Sequence, residues 1–171
     1  MIDGFQTLSK EEIDALVEAP ALITILVGTA DGELDREERT WSERLLRSRT
    51  YNNPKELNEF YRVVVEGFWV KVQSEMTHLP TDAEARNKEL SDRLAKLNPI
   101  LAKLDIELAA DIYKGFLGLA EETAKASGGF LRIGAMSAEE IKWVKLPMLT
   151  PILAPKKQQQ EEIEEDDEWK D

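Results

Sequence analysis

Apolar residues return every three or four positions along most of this chain. Leu57, Phe60, Tyr61, Val64, Phe68 and Val72 keep that rhythm. Leu90, Leu94, Leu97 and Leu101 repeat it, and Leu104, Leu108, Ile112, Phe116 and Leu119 carry it further. Side chains spaced in this way share one face of a helix, so the pattern predicts amphipathic helices and no sheet. The triplet Val63, Val64 and Val65 on its own favours a strand. It sits inside a helical rhythm, however, and reads as a helix buried on more than one side.

Helix-start signals agree with the rhythm. Ser9 with Glu12 forms a capping box, in which the hydroxyl accepts a backbone N–H and the carboxylate returns the bond. Asp35 with Glu38, Asn53 with Glu56, Thr81 with Glu84 and Ser137 with Glu140 have the same form. Pro54 falls at a first helical position, where a missing N–H costs nothing. Pro20 and Pro99 are read as opening new helices and Pro147 as ending one. The predicted helices are 9–19, 20–30, 35–50, 54–77, 82–97, 99–126 and 138–146. The fold class is therefore all-α: a single-domain helical bundle of about seven helices. Its expected limits are an extension over 1–8, the bundle over 9–153 and an acidic tail over 154–171. The tail, KKQQQEEIEEDDEWKD after Pro155, has too little apolar surface to offset the entropy of ordering, and it reads as disordered. Trp169 stands in it as a lone aromatic, a docking handle or simply solvated.

Composition narrows the function. The 42% of hydrophobic residues suffices for a packed core. The absence of cysteine excludes disulfides, thiolate nucleophiles and cysteine-ligated metals. The net charge of −12 divides into −5 from Lys156 to Asp171 and −7 in the body. An acidic body repels phosphate backbones, so nucleic acid is not expected as a partner. The segment MIDGFQTL shows no secretory signal, and the most apolar run, 21–30, is about half of a bilayer-spanning length. The expectation is a cytoplasmic protein without direct membrane insertion. His78 is the single histidine and precedes Leu79 and Pro80, where it is expected to meet free helix-end carbonyls. Phe60, Tyr61, Phe68 and Trp69 read as core before they read as a cofactor slot. Gly115 and Gly118 read as a close helix contact or a bend. No catalytic constellation is visible, and the chain is expected not to be an enzyme.

One stretch carries chemistry. Set on the EF-hand loop pattern, Asp31, Gly32, Leu34, Asp35 and Glu38 fall at the fifth, sixth, eighth, ninth and twelfth positions. Val27 and Thr29 occupy the first and third, where carboxylates belong, so the stretch is not an EF-hand. It is a helix–turn–helix joint whose acids can converge on a hard cation. The other reading is structural: Gly32 ends one helix, Asp35 and Glu38 cap the next, and Asp31 and Glu33 face water.

The segment ITILVGTADGELDREER resembles the TerB-like tellurite-resistance family, small helical bacterial proteins with an Ala-Asp-Gly turn before an acid-rich helix start. The resemblance implies an internally duplicated bundle with acidic turns linked to divalent-metal binding. It also implies a place in stress-response modules that include membrane-protein partners. An echo of the joint appears at Ala126, Ser127 and Gly128, followed by Ser137, Glu140 and Trp143. Ser127 stands where the first copy has Asp31, and Ser137 where it has Asp35, which weakens any second site. On this reading Asp31, Glu33, Asp35 and Glu38 bind calcium, magnesium or manganese weakly, and the module contacts other proteins. The alternative is a metal-free scaffold or adaptor.

Overall fold

The computed structural model describes residues 2–29, 36–51, 53–127 and 142–154; of residues 36–39, 41 and 127 it describes the backbone alone. Seven helices are found among them: α1 (Lys10–Gly28), α2 (Arg36–Ser48), α3 (Lys55–Val65), α4 (Phe68–His78), α5 (Ala83–Ala95), α6 (Leu97–Leu101) and α7 (Ile106–Ser127). No strand occurs among the described residues. The molecule is all-α, as the apolar rhythm implies. None of the described helices is long and apolar enough to cross a membrane.

α1 is the axis of the bundle. From Leu16 to Gly28 every residue but Glu18 is buried, and the helix touches α3, α4, α5, α6 and α7. The capping box predicted at its start is present: Glu12 N donates to Ser9 Oγ, and Ser9 N donates to Glu12 Oε2 at 2.9 Å. Pro20 does not open a second helix as expected. It lies inside α1, and the hydroxyl of Thr24 donates to its carbonyl at 2.9 Å. Burial on all sides holds the helix together across the one backbone bond that proline removes.

Two long helices expected from the rhythm are broken. The 54–77 segment divides at Gly67, whose φ of 79° and ψ of 9° are left-handed and which separates α3 from α4. A glycine adopts this conformation without the Cβ penalty that other residues meet. Val64 is buried, but Val63 on the same helix is 42% exposed, so the valine triplet faces the core on one side only. The 99–126 segment divides before Asp105, whose carboxylate accepts from Glu107 N at 2.9 Å at the start of α7. Pro99 lies within α6 and does not open it. Two of the expected boxes also differ. At Thr81 the cap is the next residue, Asp82, which accepts from Ala85 N at 2.8 Å. At Asn53 the side chain bonds Arg49 O while Asn58 Oδ1 accepts from Asn53 N, and no side chain caps α3. The boxes at Asp35 and Ser137 lie outside the described side chains.

The segment over residues 2–8 packs into the bundle. Phe5 is fully buried and stacks on Phe60 with ring centroids 5.6 Å apart, and Ile2 and Leu8 join the core. Gly4, at a φ of 81°, allows this approach: a Cβ there would stand 2.7 Å from Leu108 Cδ2. At the other end, the turn of helix over 142–144 stops before Pro147, and Leu146 and Leu149 are buried. Asn98 ties this strap down, donating to Met148 O at 2.9 Å and accepting from Thr150 N at 2.8 Å. Of the tail expected over 154–171, all but Ala154 lies outside the described residues.

Candidate functional site

Asp31, Glu33 and Asp35 lie outside the described residues, and of Glu38 only the backbone, in α2, is described. The structure brackets the joint closely. α1 ends at Gly28 with Thr29 as its cap, and α2 begins at Arg36. Both helices lie against α7. On the α2 side, Ser42 Oγ and Thr123 Oγ1, both buried, stand 3.4 Å apart. On the α1 side, Thr29 is 1% exposed and its hydroxyl donates to Ile25 O at 2.7 Å. The helix end before the acidic stretch and the helix that follows it are thus both packed on the core. Among the described residues there is no cluster of three or more His, Asp or Glu that could hold a metal ion. Of the second turn, Ser127 closes α7, and Ser137 and Glu140 lie outside the described residues.

Arg86, a residue that sequence reasoning passes over, meets the joint. It is 9% exposed, and its Nη2 donates to Thr29 O at 3.1 Å while Nη1 reaches Thr81 O at 3.3 Å. Its Nε has no partner, and no carboxylate pairs with it among the described residues. A buried guanidinium without a counter-charge is costly. Its two carbonyl contacts tie the end of α1 to the start of α5. One signal in the sequence marks it: Arg86 lies four residues before Leu90 and eight before Leu94, on the apolar stripe of α5.

A half-buried arginine, Arg49, sits where α2, α3 and α7 meet. Arg49 Nη1 donates to Gly115 O at 2.6 Å and to Tyr61 Oη at 3.3 Å, with the guanidinium carbon 5.4 Å from the tyrosine ring centroid. Burial pushes the Tyr61 hydroxyl above its ordinary pKa, and the Arg49 charge works against that rise. Gly115 and Gly118 make the room, because a Cβ would stand 2.0 Å from Tyr61 Oη at the first and 2.9 Å from Arg49 Nη2 at the second. The close contact expected of these glycines is present.

A third set joins α1, α4 and α5. Arg93 donates to Glu75 at 2.5 Å and pairs with Glu18 at 3.0 Å. The hydrogen bond from Arg93 holds the Glu75 carboxyl below its usual value of 4.5. A lowered folded-state value means that the stabilisation is present above the unfolded pKa and is lost as pH falls through the folded one. We therefore expect the urea midpoint to decline below about pH 5, and Glu75→Gln to flatten that decline. Equal pH slopes for the two proteins would show that Glu75 is not coupled to folding.

The remaining singled-out residues fall to structure. His78 Nδ1 stands 2.7 Å from Ser74 O at the end of α4, as expected of a helix-end histidine. Phe60, Tyr61 and Phe68 are core, and Trp69 is half-buried with its Nε1 donating to Glu43 at 2.9 Å. Hydrogen bonds from Arg47 and Trp69 hold the Glu43 carboxyl low. Comparison with family models, with curated proteins and with solved structures finds no match.

Proposed function

We propose that this chain is a non-enzymatic helical module that binds a divalent cation weakly at the acidic joint between α1 and α2 and works by contacting other proteins. What supports the cation reading is the run of acids that the sequence places between two helices packed on the core. Asp31, Glu33 and Asp35 fall in sequence between the end of α1 at Gly28 and the start of α2 at Arg36, and Glu38 follows in α2. Carboxylate and carbonyl oxygens are hard ligands, suited to calcium, magnesium or manganese. The likeness of this segment to the TerB-like tellurite-resistance family suggests the setting, a cytoplasmic stress-linked assembly that includes a membrane-protein partner.

The second reading is a metal-free scaffold or adaptor, and Arg86 favours it. Its guanidinium already sits 3.1 Å from Thr29 O, so a cation is fixed beside the entrance to the joint. A neighbouring positive charge lowers the affinity for another.

Calorimetry with calcium, magnesium and manganese decides between the two. The first reading expects a Kd of about 10⁻⁴–10⁻³ M for the wild type, since two of the positions that carry carboxylates in tighter loops are Val27 and Thr29. Asp31→Asn with Glu38→Gln removes charge at nearly constant size and should weaken binding at least tenfold. If the wild type takes up metal no better than this double variant, the joint is a pair of helix caps and the scaffold reading stands.

A further inference from the structure

A groove of about 590 Å³ lies between α6, the start of α7 and the end of the strap at Thr150–Leu153. That volume is in the range of sites that seat a small ligand, roughly 300–1,000 Å³. Leu101, Leu104, Ile106 and Leu153 give it an apolar wall, Asn98 and Thr150 add polar groups, and every side chain lining it is uncharged. Ile106 is 48% exposed and Leu153 83%, so the groove leaves apolar surface open to water. Apolar surface left open in a concave patch marks a place where something docks.

The described chain ends at this groove. Leu153 lines it, Ala154 is the last described residue, and the sequence runs on through residues 155–171. In that stretch the large apolar side chains are Ile163 and Trp169, set among acids, glutamines and lysines. An uncharged lining turns away the charged neighbours, because a charge taken out of water without a partner is costly. It admits Ile163 or Trp169, and the polar groups choose between them. Asn98 Oδ1 accepts from Thr150 N at 2.8 Å, which leaves it a second lone pair. Isoleucine offers that lone pair nothing. An indole carries one N–H donor on a ring that buries about 150–250 Å². The tether permits the approach: at roughly 3.3–3.6 Å per residue it reaches about 50 Å from Ala154 to Trp169, enough to turn back with slack. A short tether supplies an effective concentration of about millimolar, so a contact too weak to hold two molecules together suffices within one.

We propose that Trp169 docks in this groove, its ring against Leu104, Ile106 and Leu153 and its Nε1–H donating to Asn98 Oδ1. The chain's own end then occupies an apolar docking surface, and a partner that uses the groove has to displace it. One docked side chain does not require the residues before it to order. The contact is independent of cation binding at the joint between α1 and α2.

The test uses the full chain with ¹⁵N and methyl labels. Trp169→Ala should shift the methyl signals of Leu104, Ile106 and Leu153, and Ile163→Ala should leave them in place. Leu153 is exposed, so Leu153→Asn keeps the fold. It should reduce the docked fraction at least about threefold, read as movement of the Trp169 indole N–H signal toward that of acetylated and amidated Glu-Trp-Lys. That peptide, added at millimolar concentration to the Trp169→Ala chain, should move the same three methyl signals back. Groove signals that ignore Trp169→Ala overturn the contact, and shifts confined to another face overturn the site. Equal shifts from Ile163→Ala overturn the choice of residue. Shifts that grow with protein concentration would place Trp169 on a second copy and overturn the intramolecular contact.

Discussion

Gly115→Ala should destabilise the protein by about 2–3 kcal/mol, although alanine is the better helix former by about 1 kcal/mol. Position 115 is interior to α7, where propensity alone predicts a gain. Sterics reverse the sign: a Cβ would stand 2.0 Å from Tyr61 Oη, and Tyr61 is 1% exposed with no room to retreat. Moving the ring also strains the Arg49 bonds to Tyr61 Oη and Gly115 O. In a chain of this size the melting temperature should fall by roughly 5–10 °C. Tyr61→Phe supplies the control. With the hydroxyl gone the nearest ring atom is Cζ at 3.3 Å, a contact that a shift of a few tenths of an ångström relieves. In that background Gly115→Ala should cost less than about 1 kcal/mol. Urea unfolding of the four proteins gives the coupling energy, expected above about 1 kcal/mol for groups in contact. Additive effects would mean that α7 does not approach Tyr61 this closely.

Arg86→Ala should cost about 2–4 kcal/mol, far more than the roughly 0.5 kcal/mol expected of Lys88→Ala on the exposed face of the same helix. The substitution removes a buried aliphatic stem and leaves Thr29 O and Thr81 O without the donors that hold α1 to α5. Arg86→Lys should recover little, because a single ammonium does not reproduce a planar fork that spans two carbonyls. Arg86→Met should recover more than Arg86→Lys, since it restores the stem and removes a charge that has no carboxylate partner among the described residues. Thermal and urea unfolding of the three variants fix the order. If Arg86→Ala lies within about 0.5 kcal/mol of the wild type, the guanidinium is not a structural tie.

The candidate joint was legible because its residue types are local. Asp31, Glu33, Asp35 and Glu38 lie within eight positions, and both the cation and the capping readings follow from spacing alone. Arg86 was not legible as part of it. It lies 57 positions from Thr29, and only the packing of α5 on α1 brings the two together.

By itself the sequence determined the fold class. A repeat of three and four in the apolar positions can bury one continuous face only as helix, and the Ser9 box sets a helix start through bonds no more than three residues long. It also determined the chemistry the chain lacks, because without cysteine no thiolate site is possible. Only the tertiary structure decided where the helices continue or stop. Pro20 signals a break, yet α1 runs through it because α3, α4, α5, α6 and α7 surround that helix and their packing outweighs one lost hydrogen bond. Gly67 signals little inside an unbroken apolar rhythm, yet the chain breaks there in a left-handed turn, with Phe60 buried before it and Phe68 buried after it. Residues 2–8 show no periodicity, yet Ile2, Phe5 and Leu8 join the core, with Phe5 stacked on Phe60. Local bonding is encoded within a few residues of itself, whereas burial depends on which distant surfaces meet.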